Sequence, residues 1–249
     1  MIYSVYLHSE RPDLAERAAE LGDEVWPEYN LHGDVVNLNW RRMRLEYPEY
    51  QFVLYDDEAD ELVAEGHTLP VPWDGSVEGL PAGFDGIFER GFGDEEKTAL
   101  SAMAAEIRPA FQGGGLAVRV LEVMRDVARG HGLGALIAAV RPSLKECYPL
   151  AAIDEYAQWS RPDGLPFDPW LRVHARIGGR ILHPEPRSLR ISGTVAEWEE
   201  WTQMAFPVSG EYVFPHGLAL LSIDRAADVG LYYEPNVWVA HDVAPFTDE

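Results

Sequence analysis

The chain is poor in cysteine, with Cys147 as the single thiol among its 249 residues. One thiol cannot form an internal disulfide, which fits a reducing compartment and leads us to expect a cytoplasmic protein. Nothing in the neighbouring sequence would activate this thiol, so we interpret Cys147 as an ordinary half-buried residue and not as a nucleophile. The first seven residues also lack the basic segment and the small-residue cleavage site of a signal peptide.

Long apolar runs and positive charge are also scarce. No stretch approaches the roughly 20 apolar residues that a membrane-spanning helix needs, so we expect no membrane insertion. The chain has 20 Lys and Arg against 42 Asp and Glu, a formal net charge of −22. A field of this sign repels the phosphates of nucleic acids and of anionic membranes, so we expect neither as a partner. It does not exclude an anionic small molecule that main-chain N–H groups hold locally.

Motifs of metal sites and of serine hydrolases are absent as well. No two histidines have the H-x-x-x-H or H-E-x-x-H spacing, and the sequence contains no G-x-S-x-G. We therefore predict no metal site and no serine nucleophile. The eight scattered histidines are His8, His32, His67, His131, His174, His183, His216 and His241.

The order of apolar patterns predicts a mixed α/β fold with helices on a central sheet. The glycine- and proline-rich segment 72–93 is expected to be an irregular insertion. We predict helices at 13–21, 35–45, 116–129, 145–159, 168–177 and 195–202. We predict strands at 2–7, 51–55, 62–71, 98–107, 136–140, 189–192, 211–214, 218–223 and 230–239.

Three successive glycines, Gly113, Gly114 and Gly115, lie between the predicted strand 98–107 and the predicted helix 116–129. Glycine allows the main chain to approach a ligand closely, and the first turn of a helix presents unpaired N–H groups and a positive dipole end. This combination predicts an anion site suited to a pyrophosphate. It is not a P-loop, because Gly-Leu-Ala replaces the Gly-Lys-Ser/Thr ending, and it lacks the acidic residue that follows a dinucleotide-binding loop.

The segment from Gln112 to Ala117 resembles the signature of the GNAT acyltransferase superfamily, Q/R-x-x-G-x-G/A, with Gln112, Gly115 and Ala117 in its three defining positions. The resemblance implies a GNAT-like mixed central sheet, with helices on both faces and a splayed gap between its fourth and fifth strands. We expect a single domain over residues 1–249, with expansions near 72–93, 141–167 and 194–204.

What the resemblance implies for chemistry is an acyl-CoA-dependent N-acyltransferase (EC 2.3.1.-). The co-substrate would be acetyl-CoA or another acyl-CoA, whose pantetheine arm lies in the gap, and an amine of a small-molecule acceptor would attack the thioester directly. An acyl carrier protein as donor and a non-catalytic acyl-CoA sensor are alternatives, and a homodimer is left open. The implied donor-binding residues are Ile107, Gln112, Gly113, Gly114, Gly115, Leu116 and Ala117.

Two residues are candidates for protonating the leaving thiolate. The family places a tyrosine four residues before a Gly-Phe pair on the helix after the fifth strand; here Gly178-Gly179 is the best match, and His174 stands at the tyrosine position. Histidine can donate a proton near neutral pH, although a satisfied core histidine is an equal interpretation. Tyr148, soon after the fifth strand, is the rival.

The general base is less clearly indicated. Glu106 lies on the signature strand, but strand alternation puts its side chain on the face opposite Ile107. If Ile107 faces the donor, Glu106 faces away, which argues against Glu106 as the base. The acidic residues at 94–96 and a water chain are the remaining candidates.

Overall fold

The computed structural model describes residues 3–19 and 21–243. Within them, nine strands form one mixed sheet in the order β1-β2-β3-β4-β5-β9-β8-β7, and β6 pairs with the other edge of β9. Only β4 and β5 run parallel among these pairs; all the others are antiparallel. The strands are β1 (Ser4–Leu7), β2 (Phe52–Asp56), β3 (Glu61–Val71), β4 (Ala99–Ile107), β5 (Ala135–Val140), β6 (Arg180–Gly193), β7 (Gly210–Tyr212), β8 (Leu221–Asp224) and β9 (Val229–Asp242).

Helices cover both faces of the sheet. Leu100 of β4 packs in a core beneath the helix at 116–130. Its neighbour Ala99 packs on the opposite face, in a second core with the helices at 36–46 and 83–92. The α-helices are α1 (Pro12–Arg17), α2 (Leu21–Val25), α3 (Val36–Glu46), α4 (Gly83–Phe92), α5 (Leu116–Gly130), α6 (Ile153–Tyr156), α7 (Pro169–Arg176) and α8 (Val195–Thr202). None of these helices combines the length and the apolar character that crossing a membrane requires.

The two helices nearest the site form for local reasons. In α5, Val120, Val123 and Val127 recur at helical spacing and are buried, while the opposite side is charged. In α7, Asp168 is the N-cap and its carboxylate accepts hydrogen bonds from the main-chain N–H groups of Trp170 (2.9 Å) and Leu171 (3.1 Å). Both predicted helices are confirmed, and both pack against the same core.

Most predicted elements are confirmed, and two predictions are wrong. The segment 72–93 is not irregular throughout, because α4 lies within it and buries Ile87 and Phe88 against the sheet. The helix predicted over 145–159 is reduced to a 3-10 turn, Lys145–Cys147, and the four residues of α6. Pro149 disfavours helical geometry at the residue before it, and the Lys145 ammonium binds main-chain carbonyls instead of facing solvent.

Candidate active site

The predicted gap between β4 and β5 is confirmed. The two strands pair from Ala99↔Ala135 to Ala102↔Ala138 and then separate. Beyond this point β4 stays paired with β3 as far as Ile107, and β5 stays paired with β9 as far as Val140. Each strand is therefore held by its outer neighbour, and the sheet opens between them.

A cavity of about 490 Å³ lies at this gap. Its lining includes Leu121 of α5 and His174 of α7, which lie on one face of the sheet, and Trp40 of α3 and Phe84 of α4, which lie on the other. The cavity therefore connects the two faces through the opening. Two reactants can enter from opposite sides and meet at the separated strands.

The glycine loop lies before α5. Gly113 and Gly115 adopt positive φ angles of 81° and 83°, and residues 112–115 are exposed. Among the residues that the structure describes, no acceptor pairs with the main-chain N–H groups of Gly113, Gly114 or Gly115. These N–H groups are therefore free for an anionic ligand beside the positive end of α5, and the anion site itself stays a prediction.

Ile107, by contrast, lies in the core beneath α5 and is not part of the cavity lining. Its carbonyl accepts a hydrogen bond of 3.0 Å from the Gln112 side chain. That bond ties the loop to the end of β4. The cavity instead meets β4 along residues 102–106, so these are better placed than Ile107 to face a ligand in the gap.

Glu106 does face the cavity, so the expectation that it points away is wrong. Strand alternation does separate it from Ile107, but the cavity crosses the sheet, so its lining includes Glu106 as well as Leu121 on the opposite face. Its Oε1 accepts a hydrogen bond of 2.8 Å from Trp26 Nε1, and its Oε2 lies 3.8 Å from His67 Nε2. Burial raises the pKa of Glu106, and the neighbouring charge of Glu65 raises it further.

His67 lies between two carboxylates, and the tautomer of its ring follows from Gln51. The Gln51 amide nitrogen donates to the carbonyls of Tyr47 (2.9 Å) and Thr68 (2.8 Å), so its Oε1 is fixed as an acceptor. His67 Nδ1, at 3.1 Å from this oxygen, must therefore carry a proton. The other nitrogen, Nε2, lies 3.4 Å from Glu65 Oε1.

Glu65 is the ionised member of this cluster of Glu65, His67 and Glu106. Burial alone would raise its pKa, but His67, His8 and Arg44 outweigh that effect and hold the pKa at about 2. The Arg44 guanidinium lies 3.3 Å from Glu65 Oε1. One ligand atom from each cluster member lies within 4.8 Å of the others, a spacing that could hold a cation. Since Arg44 already supplies a positive charge there, we interpret the cluster as a proton-sharing group.

A second carboxylate in the cavity, Glu234, is internally neutralised. Its Oε1 lies 3.1 Å from Arg141 Nε and accepts a hydrogen bond of 3.1 Å from Asn30. Glu65 and Glu234 thus each have an arginine partner. Glu106 has none within ion-pair distance among the described residues, so it is the buried carboxylate of the cavity lining that lacks an arginine partner.

His174 is buried on the side of α7 that faces the sheet. It lines the cavity, and its Nδ1 lies 2.9 Å from His241 Nε2 on β9. Burial lowers the pKa of His174 to about 3 and that of His241 to about 4. Both imidazoles are therefore neutral at neutral pH. His241 is 67 residues away on the last strand, so no spacing in the chain pointed to it.

Tyr148 lies elsewhere. It is 38% exposed, packs edge-on against Trp159 and Phe167, and is not among the residues that line the cavity. This position gives no support to Tyr148 as the acid, and its role stays a prediction.

Comparisons with known proteins agree with this architecture. A scan against protein-family models finds no match. The arginine N-acetyltransferase avaD of Aspergillus versicolor is 27% identical over 275 residues, covering 97% of this chain and 94% of that protein. The loading GNATL domain of CurA from Lyngbya majuscula aligns with a TM-score of 0.63 at 20% identity, covering 97% and 98% of the two chains. The GphF GNAT-like decarboxylase in complex with isobutyryl-CoA aligns with a TM-score of 0.62 at 16% identity, covering 97% and 100%.

The splayed mixed sheet, with a glycine turn before the helix that follows β4, defines a GNAT fold. In its fold and in its sequence relative, the chain resembles the GNAT superfamily. Acyl transfer is the class of reaction that these findings support.

Proposed function

We propose that the protein transfers an acyl group from an acyl-CoA to an amine nitrogen of a small cationic acceptor. The observation that carries this proposal is the cavity that passes through the β4/β5 gap. Its lining includes Leu121 of α5, the helix that follows the glycine loop, and Glu106, a buried carboxyl without an arginine partner among the described residues. The free N–H groups of residues 113–115 suit the pyrophosphate of CoA, and the gap suits its pantetheine arm.

In the proposed reaction the acceptor nitrogen attacks the thioester carbonyl carbon directly. The new C–N bond forms, the C–S bond breaks, and the electron pair of the C–S bond goes to sulfur. Glu106 accepts the proton that the nitrogen loses. The resulting thiolate accepts a hydrogen bond from His174, the polar side chain of α7 that lines the cavity. Since His174 is neutral, we assign it hydrogen-bond donation rather than the role of a charged acid.

A cationic acceptor follows from the charges in the cavity. Two of its buried carboxylates are offset by Arg44 and Arg141, while Glu106 is not. The indole rings of Trp26 and Trp40 also line the cavity, and such rings favour guanidinium and ammonium groups. Arginine, named as the substrate of the 27% identical relative, has this chemistry.

Arginine and citrulline provide a matched test of the acceptor, because citrulline keeps the amino-acid part and replaces the guanidinium by a neutral group. With acetyl-CoA, we expect thiol release to be about tenfold faster with arginine, since a charge-assisted hydrogen bond contributes about 1.5–3 kcal/mol. Mass spectrometry of the product should show one added acetyl group. Equal rates with both compounds would exclude recognition of the cationic group.

The donor is assigned as free CoA. A carrier protein would bring further negative charge to a chain of net charge −22 and would need an exposed basic patch. The exposed arginines at 41, 42, 176 and 180 are the candidates for such a patch, and acidic neighbours already neutralise two of them, since Arg42 pairs with Glu46 and Arg180 with Asp242. Assays with an acetylated carrier protein in place of acetyl-CoA check the assignment, and faster turnover with the carrier would reverse it.

Isothermal titration with CoA, run beside the thiol-release assay, separates transfer from the other activities of the fold. Binding without thiol release across a panel of amines would favour an acyl-CoA sensor. Loss of CO₂ from a carboxylated acyl-CoA, followed by mass spectrometry, would favour decarboxylation. No binding of CoA or of an acyl carrier would refute the proposal.

His174→Ala should lower the turnover number about tenfold or more, since it removes a hydrogen bond to a charge that develops in the transition state. The dissociation constant for CoA should change by less than about threefold, because such a bond contributes little to the ground state. Steady-state kinetics and titration measure the two effects. An unchanged turnover number would move the role to Tyr148 or to water.

A further inference from the structure

The buried pair of His174 and His241 has one feature that the proposed reaction does not explain. Each imidazole uses one nitrogen in their mutual hydrogen bond of 2.9 Å, which leaves His174 Nε2 and His241 Nδ1 without a partner among the described residues. Buried polar nitrogens are rarely left unpaired without a reason. His174 lines the cavity, so its Nε2 is the nitrogen left to meet a ligand.

Two neutral imidazoles that share one hydrogen bond have two tautomeric arrangements. In the first, His174 Nδ1 donates, which puts the second proton on His241 Nδ1 and leaves a lone pair on His174 Nε2. In the second, His241 Nε2 donates, which leaves a lone pair on His241 Nδ1 and puts an N–H on His174 Nε2. Only the second arrangement gives His174 an N–H that can donate to a ligand in the cavity.

Arg125 of α5 favours the second arrangement. Its guanidinium donates to the main-chain carbonyl of Asp242, the residue that follows His241. Its positive charge adds to burial in lowering the pKa of His241. The guanidinium is held 3.3 Å from the main chain next to His241, and Nδ1 is the ring nitrogen nearer that main chain, so the positive charge there favours a lone pair on Nδ1. The Asp242 carboxylate is exposed and paired with Arg180, so it offsets this effect only weakly.

Gly179 gives the His241 ring its place. A Cβ at Gly179 would lie 2.6 Å from His241 Cε1 and 2.7 Å from the carbonyl oxygen of His174, so no other residue fits without displacement. The Gly179 N–H donates to that same carbonyl at 2.8 Å. The turn after α7 therefore helps to fix the positions of the His174 main chain and the His241 ring relative to each other.

We propose that His241, supported by Arg125, is a positioning residue that fixes His174 in the tautomer with its N–H at Nε2, directed toward the leaving sulfur. This inference rests on the proposed acyl transfer for its consequence, although the tautomer itself does not depend on turnover. It explains how a neutral imidazole can stabilise a thiolate by hydrogen-bond donation.

The tautomer can be read directly by NMR of protein with ¹⁵N-labelled histidine. The ring signals would be assigned with His174→Gln and His241→Gln. We expect His174 and His241 each to be protonated at Nε2 at neutral pH. A proton on His174 Nδ1 would overturn the inference, whether or not the protein turns over any substrate. Acyl transfer could fail while the tautomer holds, so the two failures are distinguishable.

Kinetics of a matched pair of variants test the consequence. His241→Gln keeps an amide N–H near the position of Nε2, whereas His241→Leu removes the donor. With acetyl-CoA and arginine, we expect His241→Leu to lower kcat about tenfold with KM for the donor within about threefold, because the partner sets the catalytic tautomer. His241→Gln should restore most of kcat. Equal loss in both variants, or no loss in His241→Leu when titration shows normal CoA binding, would contradict the role.

Discussion

Glu106→Gln is expected to lower the turnover number by about 100-fold or more, the range lost when a positioned general base is removed. The change preserves the local structure. The glutamine carbonyl can still accept the hydrogen bond from Trp26 Nε1, and its amide can donate toward His67. The effect therefore reports lost proton acceptance and not lost packing. Thiol release from acetyl-CoA in the presence of arginine measures it.

If Glu106 is the base, the pH profile of kcat/KM should fall on its acidic side. The base must be ionised to act, and burial raises the pKa of Glu106 above the usual glutamate value. Activity should therefore fall as the pH is lowered through that raised pKa, and Glu106→Gln should lack this limb. Because the carboxyl protonates as acid is added, the loss lies on the acidic side of the profile.

Asp85→Asn is the matched control. Asp85 is another partly buried carboxyl whose pKa is raised, to about 6, by burial, yet it is not among the residues that line the cavity. Its Oδ2 accepts a hydrogen bond from the Arg190 main-chain N–H, which an asparagine can also receive. We expect near-normal turnover and an unchanged acidic limb. If Asp85→Asn abolished that limb and Glu106→Gln kept it, Glu106 would not be the base.

The sequence predicted the parts of this site that depend on neighbours in the chain. The glycine turn before α5, and the Asp168 cap of α7, are set by residues within one helical turn, so they could be recognised directly. Alternation also placed Glu106 correctly relative to Ile107. It could not show that the cavity crosses the sheet, because that depends on where two parallel strands stop pairing.

The parts that sequence reasoning missed depend on residues far apart in the chain. His241 meets His174 only because β9 lies beside β5, and Arg44 meets Glu65 only because α3 packs across β3. The apolar periodicity of a helix or strand does not predict such long-range contacts. The failed prediction of a helix over 145–159 also depends in part on a distant residue, since the Lys145 ammonium donates to the carbonyl of Leu218, 73 residues later.

Gly115→Val should weaken CoA binding by about tenfold or more, since the loop amides of a strained turn lose their alignment. Gly115 has a φ of 83°, and a Cβ there would meet no atom within 4 Å, so the effect is conformational and not steric. A left-handed conformation costs an L-residue about 1–2 kcal/mol, and more for a β-branched side chain. The variant will relieve this strain by rotating the turn, and the free N–H groups of residues 113–115 will then point elsewhere.

Gly164→Val separates this effect from general destabilisation. Gly164 has a similar φ of 79°, is exposed, and likewise has open space around the position of a Cβ, but it lies in the turn at 161–165 and not in the loop that precedes α5. Both variants should lose a few degrees of Tm, roughly 2–4 °C for each kcal/mol in a protein of this size. Only Gly115→Val should lose affinity for CoA in isothermal titration. Equal losses of affinity would mean that strain anywhere in the fold weakens binding, whereas normal binding by Gly115→Val would show that the glycine turn does not hold the pyrophosphate and would remove the donor site from the proposed function.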